Sequence, residues 1–289
     1  MKNVTKILTA AVLCAALFAS DQRIDALGGN AALWPGDEAN IAAFPAQLNN
    51  HAYVQLSGVG QTSWESADTM DCGVDSDEAC DNATSTGFDG GAGASILFQK
   101  DGTTWGFNYG GGDWVNMHWG DGSMGVSVGF TNDTDSDGEG TSDFSAAYGN
   151  TFDWGEIGVK YWTWGNGDDA DLGFNYRSDF GFWLFDNTVA SVYNVMCEDC
   201  GDMVISADFF SHMDAGGADV VYGWGFDYDM ADDGGMGQTA TIGVEANMTD
   251  WATARAGATY AYNLSSDDDK TGNAFGWAWG LGFNWGDFT

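Results

Sequence analysis

Residues 273–286 read NAFGWAWGLGFNWG, and taking every second residue divides the run cleanly. Phe275, Trp277, Trp279, Leu281, Phe283 and Trp285 fall on one face, with Ala274, Gly276, Ala278, Gly280, Gly282 and Asn284 on the other. A helix would scatter the bulky residues around its circumference, whereas a strand projects successive side chains to opposite sides, so this period of two predicts a strand. The same reading sets Tyr222, Trp224, Phe226 and Tyr228 against Gly223, Gly225, Asp227 and Asp229. It sets Ala252, Ala254, Ala256, Ala258, Tyr260 and Tyr262 against Thr253, Arg255, Gly257, Thr259 and Asn263, and Ile242, Val244 and Ala246 against Gly243, Glu245 and Asn247.

A soluble sandwich also alternates, but it favours Val, Ile and Leu on its buried face and charge on its outer face. Here the apolar face is Trp, Tyr, Phe and Ala, and the opposite face is Gly, Asn, Thr and scattered charge. That division fits an all-β transmembrane antiparallel barrel, with strands of about 9–11 residues, lipid outside and a small-residue or polar lumen. Closure of the barrel would satisfy every backbone group in lipid. A secreted β-sandwich or solenoid with a glycine-rich interior is the alternative that the residues leave open.

Composition agrees. The 289 residues include 43 glycines, 14 Trp, 18 Phe, 10 Tyr and only 2 prolines. Glycine at roughly twice its usual share of about 7% weakens helices by about 1 kcal/mol per site and excludes an ordinary helical or α/β domain. With 43 acids against 8 bases and a formal net charge of −35, the chain has no basic patch to neutralise phosphates, which excludes nucleic acid as a partner. Hydrophobic residues make up 44%, too many for a disordered chain. A salt-loving habitat would also account for the acidity.

Lys2 and Lys6 precede an apolar run, Ile7 to Ala19, that ends in the small pair Ala19-Ser20. This fits a secretory signal peptide over residues 1–20; a buried N-terminal helix is the alternative. Cys14 lacks the small residue a lipoprotein signal places before its cysteine, so no lipid anchor is expected. No later stretch is long and apolar enough for a transmembrane helix. An exported chain in a membrane must therefore cross it with strands, which places it in the cell outer membrane, in contact with outer-membrane lipid; its oligomeric state is not legible.

Strands are expected near 51–59, 90–100, 103–110, 113–119, 123–131, 143–149, 155–165, 169–177, 188–196, 202–211, 217–229, 238–247, 252–263 and 273–286. Fourteen is an even number and puts both ends of the barrel, residues 50–289, on the periplasmic side. Long acidic connections (61–87, 132–142, 166–170, 231–237, 265–272) alternate with short ones (101–102, 121–122, 150–153, 248–251), as long outer loops and short periplasmic turns require. The aromatic stretch 178–187 fits no slot and is either a further strand or part of a long turn.

Residues 21–49 have a different texture, without alternation and with both prolines, Pro35 and Pro45. Arg23-Ile24-Asp25-Ala26-Leu27-Gly28-Gly29, the acidic Asp37-Glu38-Ala39-Asn40 and then Phe44-Pro45-Ala46 resemble the mature N-terminus of the long-chain fatty-acid transporter family of outer-membrane barrels. They are also similar to related barrels that assist Bacteroidetes-type secretion. Phe44 departs from the family's Asn at that point, and the resemblance covers these residues and the last strand, where Leu281 to Phe288 looks like a late strand and its periplasmic turn. The resemblance implies a fourteen-stranded barrel with an N-terminal luminal plug over residues 21–49, and a small hydrophobic solute as cargo. It marks Arg23, Asp25, Gly28, Gly29 and Pro45 as plug residues. The chain ends on Thr289, one residue past an aromatic, so the barrel is expected to be incomplete at its C-terminus.

Three groups of side chains invite a chemical reading. Asp133-x-Asp135-x-Asp137-Gly138 opens like a calcium loop, in which alternate carboxylates converge on a hard cation. Position twelve is Phe144 and not the closing Glu, leaving Glu139 or Asp143 to substitute; Ca2+ binding and a solvated acidic hairpin tip are both open. Further acidic clusters at Asp75, Asp77 and Glu78, at Asp168, Asp169 and Asp171, and at Asp267, Asp268 and Asp269 fall on the same outer side and would attract divalent cations.

Cys72 and Cys80, and Cys197 and Cys200, each lie within one loop, which favours local disulfides over the other pairings of four cysteines. A redox Cys-x-x-Cys is disfavoured by the lack of a thioredoxin-like context or a cationic neighbour, and zinc by the scattering of His51, His118 and His212.

Finally, Lys160, Arg177 and Arg255 fall within strands, where charge is costly in lipid and is expected to face the lumen. Arg255 falls at the height of Glu245 on the neighbouring strand. Such charges would form a constriction, pin the plug, or form structural salt bridges. No catalytic motif is present, and no enzyme is expected.

Overall fold

The computed structural model describes residues 19–57, 93–110, 114–134, 140–164, 167, 169–196, 203–230, 235–264 and 273–283. Fourteen strands form one antiparallel sheet in simple sequence order. They are β1 (Tyr53–Ser57), β2 (Gly93–Lys100), β3 (Thr103–Gly110), β4 (Trp114–Asp121), β5 (Met124–Thr134), β6 (Gly140–Phe152), β7 (Gly155–Trp164), β8 (Asp169–Ser178), β9 (Asn187–Tyr193), β10 (Val204–Asp214), β11 (Ala218–Asp229), β12 (Met236–Thr249), β13 (Ala252–Asn263) and β14 (Asn273–Phe283). Each strand matches one expected from the alternation. The aromatic stretch 178–187 is not a fifteenth strand. It is the β8–β9 connection, closed on itself by a single bridge between Phe182 and Phe185.

The hairpin turns at one end are tight. At Asp101-Gly102 both residues have positive φ (54° and 81°), the backbone that a two-residue turn needs to match the strands' twist and that Asp-Gly adopts at little cost. Register then fixes the faces. Phe283, Leu281, Trp279, Trp277 and Phe275 stand opposite Ala252, Ala254, Ala256, Ala258 and Tyr260. These continue across the sheet into Ile242 and Val244, then Tyr222 and Val220. All of them share the outer face. It is exposed in the isolated chain, with Trp277 and Trp279 at 69% and 66%.

The other face meets the N-terminal segment, made of helix α1 (Ala19–Ala26) and three short 3-10 turns, Ala31–Leu33, Glu38–Ala42 and Pro45–Asn50. Helix α1 ends where Gly28 and Gly29 take φ of +105° and +81°, and the Gly29 N–H closes back onto the Ile24 carbonyl at 2.9 Å. The segment touches β2 through Gln99, β7 through Glu156, β10 through His212, β12 through Glu245 and β14 through Gly280, always on the same side of the sheet. At about 4.8 Å per strand, β2 and β7 would lie about 24 Å apart in a flat sheet, yet Asn49 meets Gln99 on β2 and Gln47 meets Glu156 on β7 from one short 3-10 turn of the segment. The sheet is therefore curled around it. Among the described residues no ladder joins the short β1 to β14.

The core is correspondingly inside out. Ile24, Leu27, Leu33, Trp34 and Phe44 of the segment cluster with Val189, Phe210 and Val221 of the wall, and Ile41 and Leu48 pack on Leu97.

Candidate functional site: the filled lumen

Wall and segment meet through small residues. A Cβ on Gly158 would lie 1.9 Å from the Ala43 carbonyl oxygen, one on Gly125 2.0 Å from the Pro45 carbonyl oxygen, and one on Gly257 2.3 Å from the Gly28 nitrogen. The inward glycines are thus where backbone touches backbone, and Pro45 is fully buried among them. Thr259 adds a hydrogen bond from Oγ1 to the Gly28 carbonyl at 2.8 Å. Asp25 is exposed, on the open side of α1.

Three polar clusters connect the segment to the wall, and they contain all three arginines of the chain. In the first, Glu245 stands directly opposite Arg255 in the β12–β13 register. Its carboxylate accepts from Arg255 Nε at 2.6 Å and from Arg23 Nε at 2.8 Å, while Arg23 also pairs with buried Asp37. The Arg23 guanidinium lies over the Trp34 ring, 5.2 Å from its centroid. Burial opposes the charge of Arg23, but hydrogen bonds and attraction from Glu245, then Asp37, outweigh it and raise its pKa above the usual arginine value. At His51, just before β1, burial wins over the attraction of Asp37 and lowers the imidazole below the usual histidine range.

The second cluster is deeper. Arg177 donates to Glu156 at 2.6 Å and to Asn40 Oδ1 at 3.2 Å, and its guanidinium lies over the Phe44 ring at 4.4 Å. Gln47 donates to the same carboxylate at 2.8 and 2.9 Å. Arg177 and Glu156 are only 6% and 5% exposed. Removing one member of such a buried pair leaves the other uncompensated, at a cost of about 3–5 kcal/mol. Arg177→Met is expected to lower the unfolding free energy by about that amount, measured by equilibrium denaturation in detergent micelles; a change near zero would show that Glu156 is solvated in the folded protein.

In the third cluster, His212 on β10 sets Nε2 2.8 Å from the Leu33 carbonyl and Nδ1 3.0 Å from Asp219.

Toward the long-loop end the inward face is mixed, with Lys160, His118 and Asn175 beside Trp162 and Tyr193. Lys160 extends over Trp162 at 5.4 Å, His118 bonds Ser127 at 2.7 Å, and Tyr193 donates to Asn175 at 2.6 Å. Asp208 and Asp227, on adjacent strands, have no cationic partner among the described residues. Asn30 of the segment reaches Asp208 from below.

The acidic loop, read as either a calcium site or a solvated hairpin tip, is described only at its two ends. Strands β5 and β6 run further than the alternation suggested, so Asp133 pairs opposite Thr141 and Asp143 opposite Thr131, inside the ladder and not in a loop. Asp143 accepts the Gly167 backbone N–H at 3.1 Å and so ties down the β7–β8 connection. Asp135, Asp137 and Glu139 lie outside the described residues, as do Cys72, Cys80, Cys197 and Cys200 and the acidic clusters at 75–78 and 267–269. Asp171, expected among the loop acids, is instead buried on β8, accepting from the Asn194 and Met196 amides at 2.9 and 3.1 Å. Among the described residues no three His, Cys, Asp or Glu side chains are grouped to hold a metal.

Sequence reasoning missed Asp37, Asn40, Gln47, Glu156 and His212 as contacts between segment and wall. Of these, only Glu156 carried a signal, an acid in a strand whose partner strand holds Arg177.

The geometry defines a class, a fourteen-stranded meander barrel whose lumen is occupied by the chain's own N-terminal segment. No family model and no curated protein matches the chain. Among solved structures it is similar to OmpT, an outer membrane protein of Vibrio cholerae, at 14% identity over 67% of this chain and 65% of that one, with a TM-score of 0.30. It is also similar to an anion-selective porin from Comamonas acidovorans, at 13% identity over 66% and 57%, with a TM-score of 0.28. The chain thus spans less than two-thirds of either, and scores this low bear on neither mechanism nor cargo.

Proposed function

We propose that this protein is a non-enzymatic outer-membrane barrel that admits small solutes past a plug made of residues 21–49. The observation that carries the membrane reading is the outer face. Its rings, from Phe98 and Trp105 round to Trp277 and Trp279, are exposed in the isolated chain, and only an apolar medium makes that arrangement favourable. The plug reading rests on the polar clusters that join segment to wall.

The resemblance of the N-terminus implies a hydrophobic cargo, but the inward residues above the plug favour a polar or cationic one. Asn116, Asn175, Ser127, Asp208 and Asp227 offer hydrogen bonds and negative charge on an inward face they share with Lys160, Trp162 and Tyr193. Once the plug is displaced, reconstituted channels under a salt gradient are expected to show a reversal potential on the cation side, reduced in Asp208→Asn/Asp227→Asn. Anion preference would overturn the cationic assignment. The closeness of the segment–wall contacts supports a second reading, a non-conducting structural barrel of the cell surface or of a secretion assembly. Channel recording separates the two.

A further inference from the structure

The β8–β9 connection sits at the end of the barrel where the other turns have two or three residues, and it is longer than any of them. β9 pairs with β10 only as far as Asn187 opposite Phe210, while β10 continues to Asp214. The connection fills the resulting notch on the outside of the wall. Phe182 packs on Phe209 at 4.9 Å, and Phe185 on Tyr222 at 5.9 Å, both partners on the outer face. Ser211, also on that face, is only 1% exposed because Asp186 covers it. Ser211 Oγ donates to the Asp186 carboxylate and accepts the Asp186 N–H, each at 2.8 Å.

The connection is braced by hydrogen bonds. Phe182 and Phe185 exchange N–H···O bonds at 2.9 and 3.0 Å, Thr188 donates to the Phe180 carbonyl at 2.7 Å, and the Tyr222 hydroxyl to the Leu184 carbonyl at 3.4 Å. On this fixed frame Phe180, Trp183 and Leu184 point away from the protein, at 66%, 79% and 59% exposure. Trp183 does so with φ of +56°, a left-handed backbone that favours glycine or asparagine and disfavours a large side chain. A strained, outward tryptophan on a turn braced by these hydrogen bonds serves no packing purpose within the chain, and strain of this kind concentrates where a segment has something to contact.

We infer that residues 180–184 form a foot that inserts Phe180, Trp183 and Leu184 into the interfacial region of the lipid leaflet at the short-turn end, anchoring the barrel's depth there. The occupant is lipid because the foot continues a belt at the same height. Around that end the outer surface carries Trp154 stacked on Phe152 at 4.8 Å, Trp154 beside Tyr176 at 5.9 Å, and Trp251 stacked on Phe283 at 6.0 Å. Tryptophan's apolar body and N–H suit the headgroup boundary. The tip N–H groups of Trp183 and Leu184 make no hydrogen bond within the chain, which suits the hydrated headgroup region and not the hydrocarbon core.

This inference rests on the membrane reading proposed above, and its test separates the two. Nitroxide labels are placed one at a time at Leu184→Cys and at Ile242→Cys, mid-strand on the outer face, in a background with Cys72, Cys80, Cys197 and Cys200 changed to serine. The protein is reconstituted in phosphatidylcholine vesicles. Both labels are expected to collide several-fold more often with oxygen, which partitions into lipid, than with a water-soluble nickel chelate. If only the Ile242 label behaves so and the Leu184 label meets nickel freely, the foot is in water and the inference fails while the barrel reading stands. If neither reagent reaches Leu184, protein and not lipid covers the foot, which also overturns it. If the Ile242 label too lies in water, the membrane reading falls and the foot with it. With the native cysteines intact, the emission difference between the parent chain and Trp183→Phe gives a second readout. Trp183 emission is expected to be quenched by lipids brominated near the headgroup; quenching by aqueous acrylamide alone would refute the foot.

Discussion

Single channels formed by the chain lacking residues 21–49 are expected to pass current that the full chain does not. The segment occupies the lumen from β2 round to β14, and its backbone lies against Gly125, Gly149, Gly158 and Gly257 with no room for a methyl group. Ions therefore have no wide path beside it while the arginine clusters hold. Deletion removes Arg23, together with its partner Asp37, from Glu245, and Asn40 and Gln47 from Arg177 and Glu156. The wall keeps its own Glu245–Arg255 and Glu156–Arg177 pairs, so the sheet retains cross-strand charge balance. Conductance in planar bilayers should rise at least several-fold. Loosening one anchor, as in Arg23→Ala, should give brief openings and no permanent one. Silence from both variants, each shown to be folded, would remove the transport reading and leave the structural barrel.

The second large effect is steric. Gly158→Leu would place a branched side chain where the Ala43 carbonyl lies 1.9 Å from a bare Cβ position, and Gly125→Leu would do the same against Pro45. Overpacking usually costs about 1–3 kcal/mol. Here the obstacle is backbone on both sides and cannot yield by a rotamer change, so a loss of about 3 kcal/mol or expulsion of the segment is expected. Trypsin distinguishes these outcomes. Arg23, bound to Glu245 and Asp37 in the native protein, should become a cleavage site in Gly158→Leu while the barrel stays resistant. Unchanged protection and stability would mean that the wall and segment do not touch at Gly158.

The strands were legible because a single contrast, aromatic against glycine, repeats with period two and needs no knowledge of partners. The same contrast identified the faces, and alternating loop lengths gave the order of long and short connections. Elsewhere the signal depended on distance along the chain. Nothing local in Asn40 or Gln47 announces that they meet Arg177 and Glu156 more than a hundred positions away. The connection 179–186 was illegible for a related reason. Its aromatics do not alternate, because their partners, Phe209 and Tyr222, lie on strands whose register sets the contact. Strand ends were harder to read, because β5 and β6 run past the alternation and Asp133, expected in the connection, sits in the ladder.

The aromatic outer face is expected to stand in lipid, with the sheet curled as a detergent-resistant barrel around the chain's own N-terminal segment. Gel mobility of detergent-folded protein, run without and with prior heating, tests this most directly. A barrel held by ladders along its length is expected to stay compact in cold detergent and to shift only after boiling. A band that does not move, from protein fully soluble without detergent, would contradict the account.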